Sequence, residues 1–368
     1  MSKKNCVVAG ILAVLLILCI AGAGCTSVGN QPASTETYIV LDTDPGTDDA
    51  ISYLLSTVSH LPVSNSWDDG MIVGTAGNVP QNQVRTNILL LHDYLDSPTS
   101  MALGASTRLN GEPIYSDGFC GPDGLGNQSV AFKEHMQEKY GLTAEEVEEY
   151  LNSTEFDFDT IEEIGNELMR HDHITYVTIG PQTTFALLLQ QYPDLVSKID
   201  RVYVMGGGFN ISNAPHDAEF NLAGDPEADA IVFGSGLNIT LLPLDLTMTC
   251  ILTEQDIQMY EEVGKYKEMI GILEYGLNAA IEFNESDGFM LNDPVAVICA
   301  LSPDEFLYED SYVTIDEYGA TRKAETGYPV KIAKDVNREA INNVMDWVFG
   351  VDNLWSESIP EASDTSET

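Results

Sequence analysis

Beyond residue 37 the chain alternates short apolar runs with longer amphipathic ones. Tyr38–Leu41, Met71–Gly74, Ala102–Ala105, Ile174–Ile179, Arg201–Met205 and Ile239–Leu246 are brief and flanked by Gly, Pro, Asn or Asp. That pattern predicts strands. Between them, apolar positions recur at helical spacing over Ala50–Leu55, Val84–Leu95, Ile161–Met169 and Phe185–Gln191, and later over Thr253–Val263, Met269–Phe283 and Arg338–Phe349. Strand–helix alternation from Tyr38 to Leu246 predicts an α/β fold, a mostly parallel open sheet flanked by helices. Tyr312–Ile315, Gly319–Lys323 and Val330–Ala333 read as a terminal β-meander. The stretch 128–160 is acidic, helical around Ala144–Tyr150, and reads as a surface insertion.

The N-terminal stretch has a different character. Lys3 and Lys4 precede an almost wholly apolar run from Val7 to Ala23, followed by Gly24-Cys25. Residues 1–25 therefore read as an export signal of lipoprotein type, with Cys25 as the lipidated residue. Cleavage after Ala23 would instead release a soluble protein, and an uncleaved segment would be a short membrane anchor. All three readings place the globular part, residues 38–350, outside the cytoplasm. Residues 26–37 read as a polar tether and residues 351–368 as a disordered acidic tail.

The chain has 368 residues, 44% of them hydrophobic, ample for a sizeable core. Its formal net charge of -42 argues against nucleic acid and anionic membrane as partners and suits a salty medium. Six cysteines give no disulfide framework, because Cys6, Cys19 and Cys25 belong to the leader and Cys120, Cys250 and Cys299 are widely spaced.

Candidate chemistry concentrates in Asp42-Thr43-Asp44-Pro45-Gly46-Thr47-Asp48-Asp49. Four carboxylates at a strand–turn–helix junction repel one another unless a cation joins them. Oxygen ligands without Cys or His favour a hard ion such as Ca²⁺ over zinc. Further polar residues follow strands elsewhere: Asn78 after Met71–Gly74, and Asn213, Glu219 and Asn221 after Arg201–Met205.

Asp42–Ala50 resembles the N-terminal signature of the inosine–uridine-preferring nucleoside hydrolase family. Ala76-Gly77-Asn78, Met205-Gly206-Gly207-Gly208, Ala218-Glu219-Phe220-Asn221 with Asp225-Pro226-Glu227-Ala228, and Asp293-Pro294-Val295-Ala296 resemble its later motifs. The likeness spans about Tyr38 to Phe349. It implies Ca²⁺-dependent hydrolysis of the N-glycosidic bond of ribonucleosides, releasing ribose and free base. By the same resemblance Asp44 is the general base and a metal ligand, with Asp49, Asp293 and the Ile179 carbonyl as further ligands. Asp42 supports them from behind. Asp48, Asn78, Asn213, Glu219 and Asn221 would hold the ribose, and a homodimer or homotetramer is implied.

Three positions depart from the family pattern. Ile179 stands where the family has Thr, a change that a backbone-carbonyl ligand tolerates. Cys120 and Asn292 stand where the family has His, and the second of those His residues protonates the departing base in many members. Asn292, His216 and Met205 are the remaining candidates near the base. The departure leaves two alternatives open: an extracytoplasmic nucleoside-binding lipoprotein without hydrolase activity, and a hydrolase of another N-riboside such as nicotinamide riboside. A haloacid-dehalogenase-type phosphatase would expect Thr or Val where Gly46 stands.

Overall fold

The computed structural model describes residues 37–58, 63, 69–116, 118–283 and 285–351. The expected signal, Cys25, the tether and nearly all of the acidic tail lie outside these residues. Among the described residues no helix is long and apolar enough to cross a membrane.

Six strands follow in the expected places: β1 (Tyr38–Thr43), β2 (Gly70–Gly74), β3 (Ser100–Leu103), β4 (Ile174–Thr178), β5 (Ile199–Met205) and β6 (Ile239–Leu242). A small antiparallel pair, β7 (Ile251–Leu252) and β8 (Phe289–Met290), stands apart. Three later strands, β9 (Phe306–Ile315), β10 (Thr321–Ala324) and β11 (Tyr328–Val336), complete the main sheet. Its order is β10-β9-β11-β6-β5-β4-β1-β2-β3. From β3 to β11 every neighbour is parallel.

Parallel strands are buried on both faces and read as continuous apolar runs. The alternation of side chains divides them between two cores. Ile39, Leu41, Ile72, Val177, Tyr203 and Met205 enter one cluster, while Tyr38, Val40, Met71, Val73, Tyr176 and Val204 enter the other. Each fully buried aliphatic side chain contributes roughly 1.5–3 kcal/mol. The arrangement brings the carboxyl ends of β1, β2, β4 and β5 to one edge, and the polar residues that follow those ends meet there.

Three features differ from the sequence expectations. β6 stops at Leu242 because Pro243 supplies no N–H to the ladder, and Leu244–Thr247 turns helical instead. The terminal strands are not a meander: β9, not β10, is central, paired antiparallel with both β10 and β11. The ten-residue length of β9 permits this, and β11 returns to pair with β6. The stretch 128–160 is also more than surface. Its helices Ser129–Tyr140 and Ala144–Ser153 bury Phe132, Met136, Val147 and Leu151. The Arg85 guanidinium donates to the carbonyls of Leu151 and Thr154, and Asp157 Oδ2 accepts from the Met101 amide at 2.8 Å.

Candidate active site

β1 runs extended to Thr43, and the helix Thr47–Thr57 starts directly after the Pro45-Gly46 turn. The four aspartates of this junction have different surroundings. Asp42 is fully buried. Its Oδ1 accepts from Thr75 Oγ1 at 2.5 Å and its Oδ2 from Tyr176 OH at 2.8 Å. Both oxygens thus tie β1 to the two strands beside it. Burial raises its pKa to about 7 against the opposing effect of the two hydroxyls.

Asp44 is also fully buried. Its Oδ2 accepts from the Asn78 amide N–H at 2.6 Å, while its Oδ1 has no hydrogen-bond partner among the described residues. Two glycines close on this carboxylate: a Cβ on Gly77 would stand 2.0 Å from Oδ2, and one on Gly180 2.7 Å from Oδ1. Neither loop could come so close with a larger residue.

Asp49 accepts from Thr43 Oγ1 (2.5 Å), the amides of Asp44 (3.2 Å) and Gly46 (2.9 Å), and Asn78 Nδ2 (3.1 Å). Asp48 is half-buried, and its Oδ2 accepts from the Asp293 amide at 3.4 Å. One carboxylate oxygen each from Asp48, Asp49 and Asp293 can lie within 4.8 Å of the others. Asp48, expected on the ribose, thus stands beside carboxylates expected on the metal, and Asp44 flanks this trio. Burial raises all four pKa values, Asp48 to about 7; neighbouring carboxylate charges add to the shifts of Asp44, Asp48 and Asp293, while hydrogen bonds oppose that of Asp49. A donor set of carboxylate oxygens whose charges oppose one another, with one buried oxygen of Asp44 unpartnered, fits a hard divalent cation.

The expected ribose residues lie alongside, with several of their groups already engaged. Asn221 Nδ2 donates to the Ile179 carbonyl (3.0 Å), the Met205 carbonyl (3.2 Å) and Met205 Sδ (3.3 Å). Glu219 caps the helix Phe220–Gly224, accepting from the amides of Asn221 and Leu222, and it accepts also from Gly207 N–H. Asn213 is exposed, and its Oδ1 accepts from the Phe220 amide. Asn292 begins the helix Asn292–Leu301, one residue before Asp293. His216 is exposed, in a left-handed conformation, and stacked on Tyr318 with ring centroids 4.1 Å apart.

A family model described as inosine-uridine preferring nucleoside hydrolase matches residues 39–343. The chain belongs to this family. Its members hydrolyse N-glycosidic bonds, and this nucleoside hydrolase is an enzyme of that class. It is 29% identical over 324 residues to the non-specific ribonucleoside hydrolase RihC of Escherichia coli (strain UMN026), covering 85% of this chain and 97% of the relative. Its fold is similar to that of the plant nucleoside hydrolase PpNRh1, with TM-score 0.67, 24% identity, and 85% and 98% of the two chains covered. The purine-preferring ribonucleoside hydrolase of Gardnerella vaginalis also has TM-score 0.67, with 22% identity and coverage of 86% and 99%.

Several residues of the nucleoside hydrolase site escaped the sequence reading. Thr75 and Tyr176 hold Asp42, Gly77 and Gly180 face Asp44, and Thr247 touches Asn292. One signal was available: a Tyr inside a strand expected to be buried carries a hydroxyl that needs a buried partner. Cys120 lies behind the site, 3.8 Å from both Thr47 Oγ1 and Asn78 Oδ1. Burial and the Asp48 charge push its thiol up to about 12, so it stays protonated at neutral pH.

Proposed function

We propose that this nucleoside hydrolase requires calcium and cleaves ribonucleosides to ribose and free base. The observation carrying this reading is the buried carboxylate group of Asp44, Asp49 and Asp293 beside Asp48. Asp44, Asp49, Asp293 and the Ile179 carbonyl would hold the ion. When bound, it supplies Lewis acidity and a fixed positive charge. Asp44 Oδ1, the unpartnered oxygen, takes a proton from the attacking water. Asp48, the half-buried member of the group, accepts from a ribose hydroxyl. Asn78, Asn213, Glu219 and Asn221 line the ribose side, where remote binding energy is used at the reacting carbon. The base side is formed by Asn292, with Met205 and His216 as further candidates. A carboxamide cannot donate a proton as an acid, so Asn292 would assist departure by hydrogen bonding.

The test is ribose release from inosine, uridine and nicotinamide riboside, with calcium, with chelator and in Asp44→Ala. Calcium-dependent release that is lost in the variant is expected, and the three substrates rank the bases. Tight nucleoside binding without ribose release would reject turnover of these substrates and favour a binding role. We also propose that Cys25 is lipidated and anchors the enzyme outside the cytoplasm. Metabolic labelling with palmitate, absent in Cys25→Ser, checks that.

A further inference from the structure

A cavity of about 420 Å³ lies between the loop after β5, the start of the helix Leu244–Thr247, and strands β10 and β11. Phe209, Asn210, Asp245, Arg322, Lys323 and Lys334 supply its polar and aromatic lining. None of these belongs to the carboxylate group described above. Five of the 16 Lys and Arg residues in the chain fall between positions 322 and 338, the densest positive stretch of a chain with net charge -42.

The carboxylates at this cavity are already engaged. Both oxygens of Asp245 are engaged, accepting from the amides of Phe209 (2.7 Å) and Asn210 (3.0 Å) and from Asn210 Nδ2 (2.6 Å). Glu309 accepts from both Lys323 Nζ (3.0 Å) and Lys334 Nζ (2.9 Å). One carboxylate thus fixes two ammonium groups, and each ammonium carries three N–H donors. Lys323 is further held over the Phe209 ring, 5.2 Å from its centroid. The guanidinium of Arg322, with five N–H donors, has no hydrogen-bond or ion-pair partner among the described residues.

We propose that this cavity binds a tetrahedral oxyanion, a phosphate or phosphomonoester group, through Arg322, Lys323 and Lys334. The Arg322 guanidinium and the two ammonium groups belong to residues lining one cavity, and together they offer donors to an acceptor with several charged oxygens. The cavity also shares a wall with the active site. Thr321 Oγ1 accepts from the Gly208 amide (2.9 Å) and donates to its carbonyl (3.0 Å), while Gly207 N–H donates to Glu219 (3.0 Å). An anion held beside Thr321 therefore bears on the loop that fixes Glu219.

Equilibrium dialysis of the full-length protein against radiolabelled phosphate tests this, with chelator present and ionic strength held constant by sodium chloride. One saturable site per chain is expected. Its Kd should rise about tenfold or more in Arg322→Ala and in Lys334→Ala, and should be unchanged in Arg170→Ala, an exposed arginine paired with Glu167. Competition by ribose 5-phosphate shows whether a phosphomonoester is preferred over the free ion. Absence of saturable uptake up to ~10 mM phosphate, or equal Kd in wild type, Arg322→Ala and Lys334→Ala, would overturn the proposal.

Discussion

Thr247 Oγ1 donates to Asn292 Oδ1 at 2.9 Å. The bond fixes the amide orientation, because its acceptor end is engaged. Nδ2 remains the available donor, with no hydrogen-bond partner among the described residues. The Asn292 amide can therefore donate a hydrogen bond but not a proton. Asn292→Ala should lower kcat/KM on inosine by about tenfold or more, the loss of a hydrogen bond to developing charge. On para-nitrophenyl riboside, whose leaving group needs no protonation, the loss should be small. Thr247→Val should fall between on inosine. Equal losses on both substrates would show that Asn292 acts on the ribose side instead.

The approach of Gly77 to Asp44 makes a sharp steric test. The 2.0 Å between a Gly77 Cβ and Asp44 Oδ2 cannot be relieved without moving the loop or the carboxylate. Gly77→Ala should cost roughly a hundredfold or more in kcat, since small displacements of a base have effects of that size. Circular dichroism should stay close to wild type. Unchanged kcat would show that the loop yields freely.

Tyr176→Phe leaves one oxygen of the fully buried Asp42 without its partner. Chemical denaturation should show a loss of about 1–3 kcal/mol. Thr75→Val should do the same for the other oxygen, and the two losses should be non-additive because they act on one carboxylate.

Glu219 carries a pH dependence of known sign. Burial raises its pKa from 4.5 to about 7 although backbone amides oppose the shift. A carboxyl whose folded pKa is raised favours folding when protonated, so its contribution is full below 4.5 and is lost as pH rises to about 7. Glu219→Gln removes this titration and also replaces an acceptor facing backbone amides, which adds a constant penalty. The stability gap between wild type and variant should therefore shift toward the variant by roughly 3 kcal/mol across that interval. A gap independent of pH would show that Glu219 keeps its ordinary pKa in the fold.

Calcium removal should lower thermal stability as well as activity. The four carboxylates repel one another without a counter-charge, and an ion that binds the folded state alone stabilises it by mass action. At a hundred times its Kd, calcium should contribute about 2.7 kcal/mol, read as a rise in Tm that Asp293→Ala abolishes.

Much of this enzyme was legible along the chain because the signals are local. The short, largely apolar runs of β1 and β4, the helical spacing from Phe185 to Gln191, and the Asp42–Asp49 junction each depend on residues within a few positions. Sequence therefore determined the strand–helix order, the parallel class and the acidic centre. Partner choice over long separations was decided by the tertiary structure. Asp293 meets Asp48 across 245 residues, Tyr176 meets Asp42 across 134, and Thr321 meets Gly208 across 113. The same holds for β9, which lies between β10 and β11. Side-chain periodicity states which face is buried, but not which strand end arrives opposite it. That is settled when the sheet closes its order and the loops at one edge pack together.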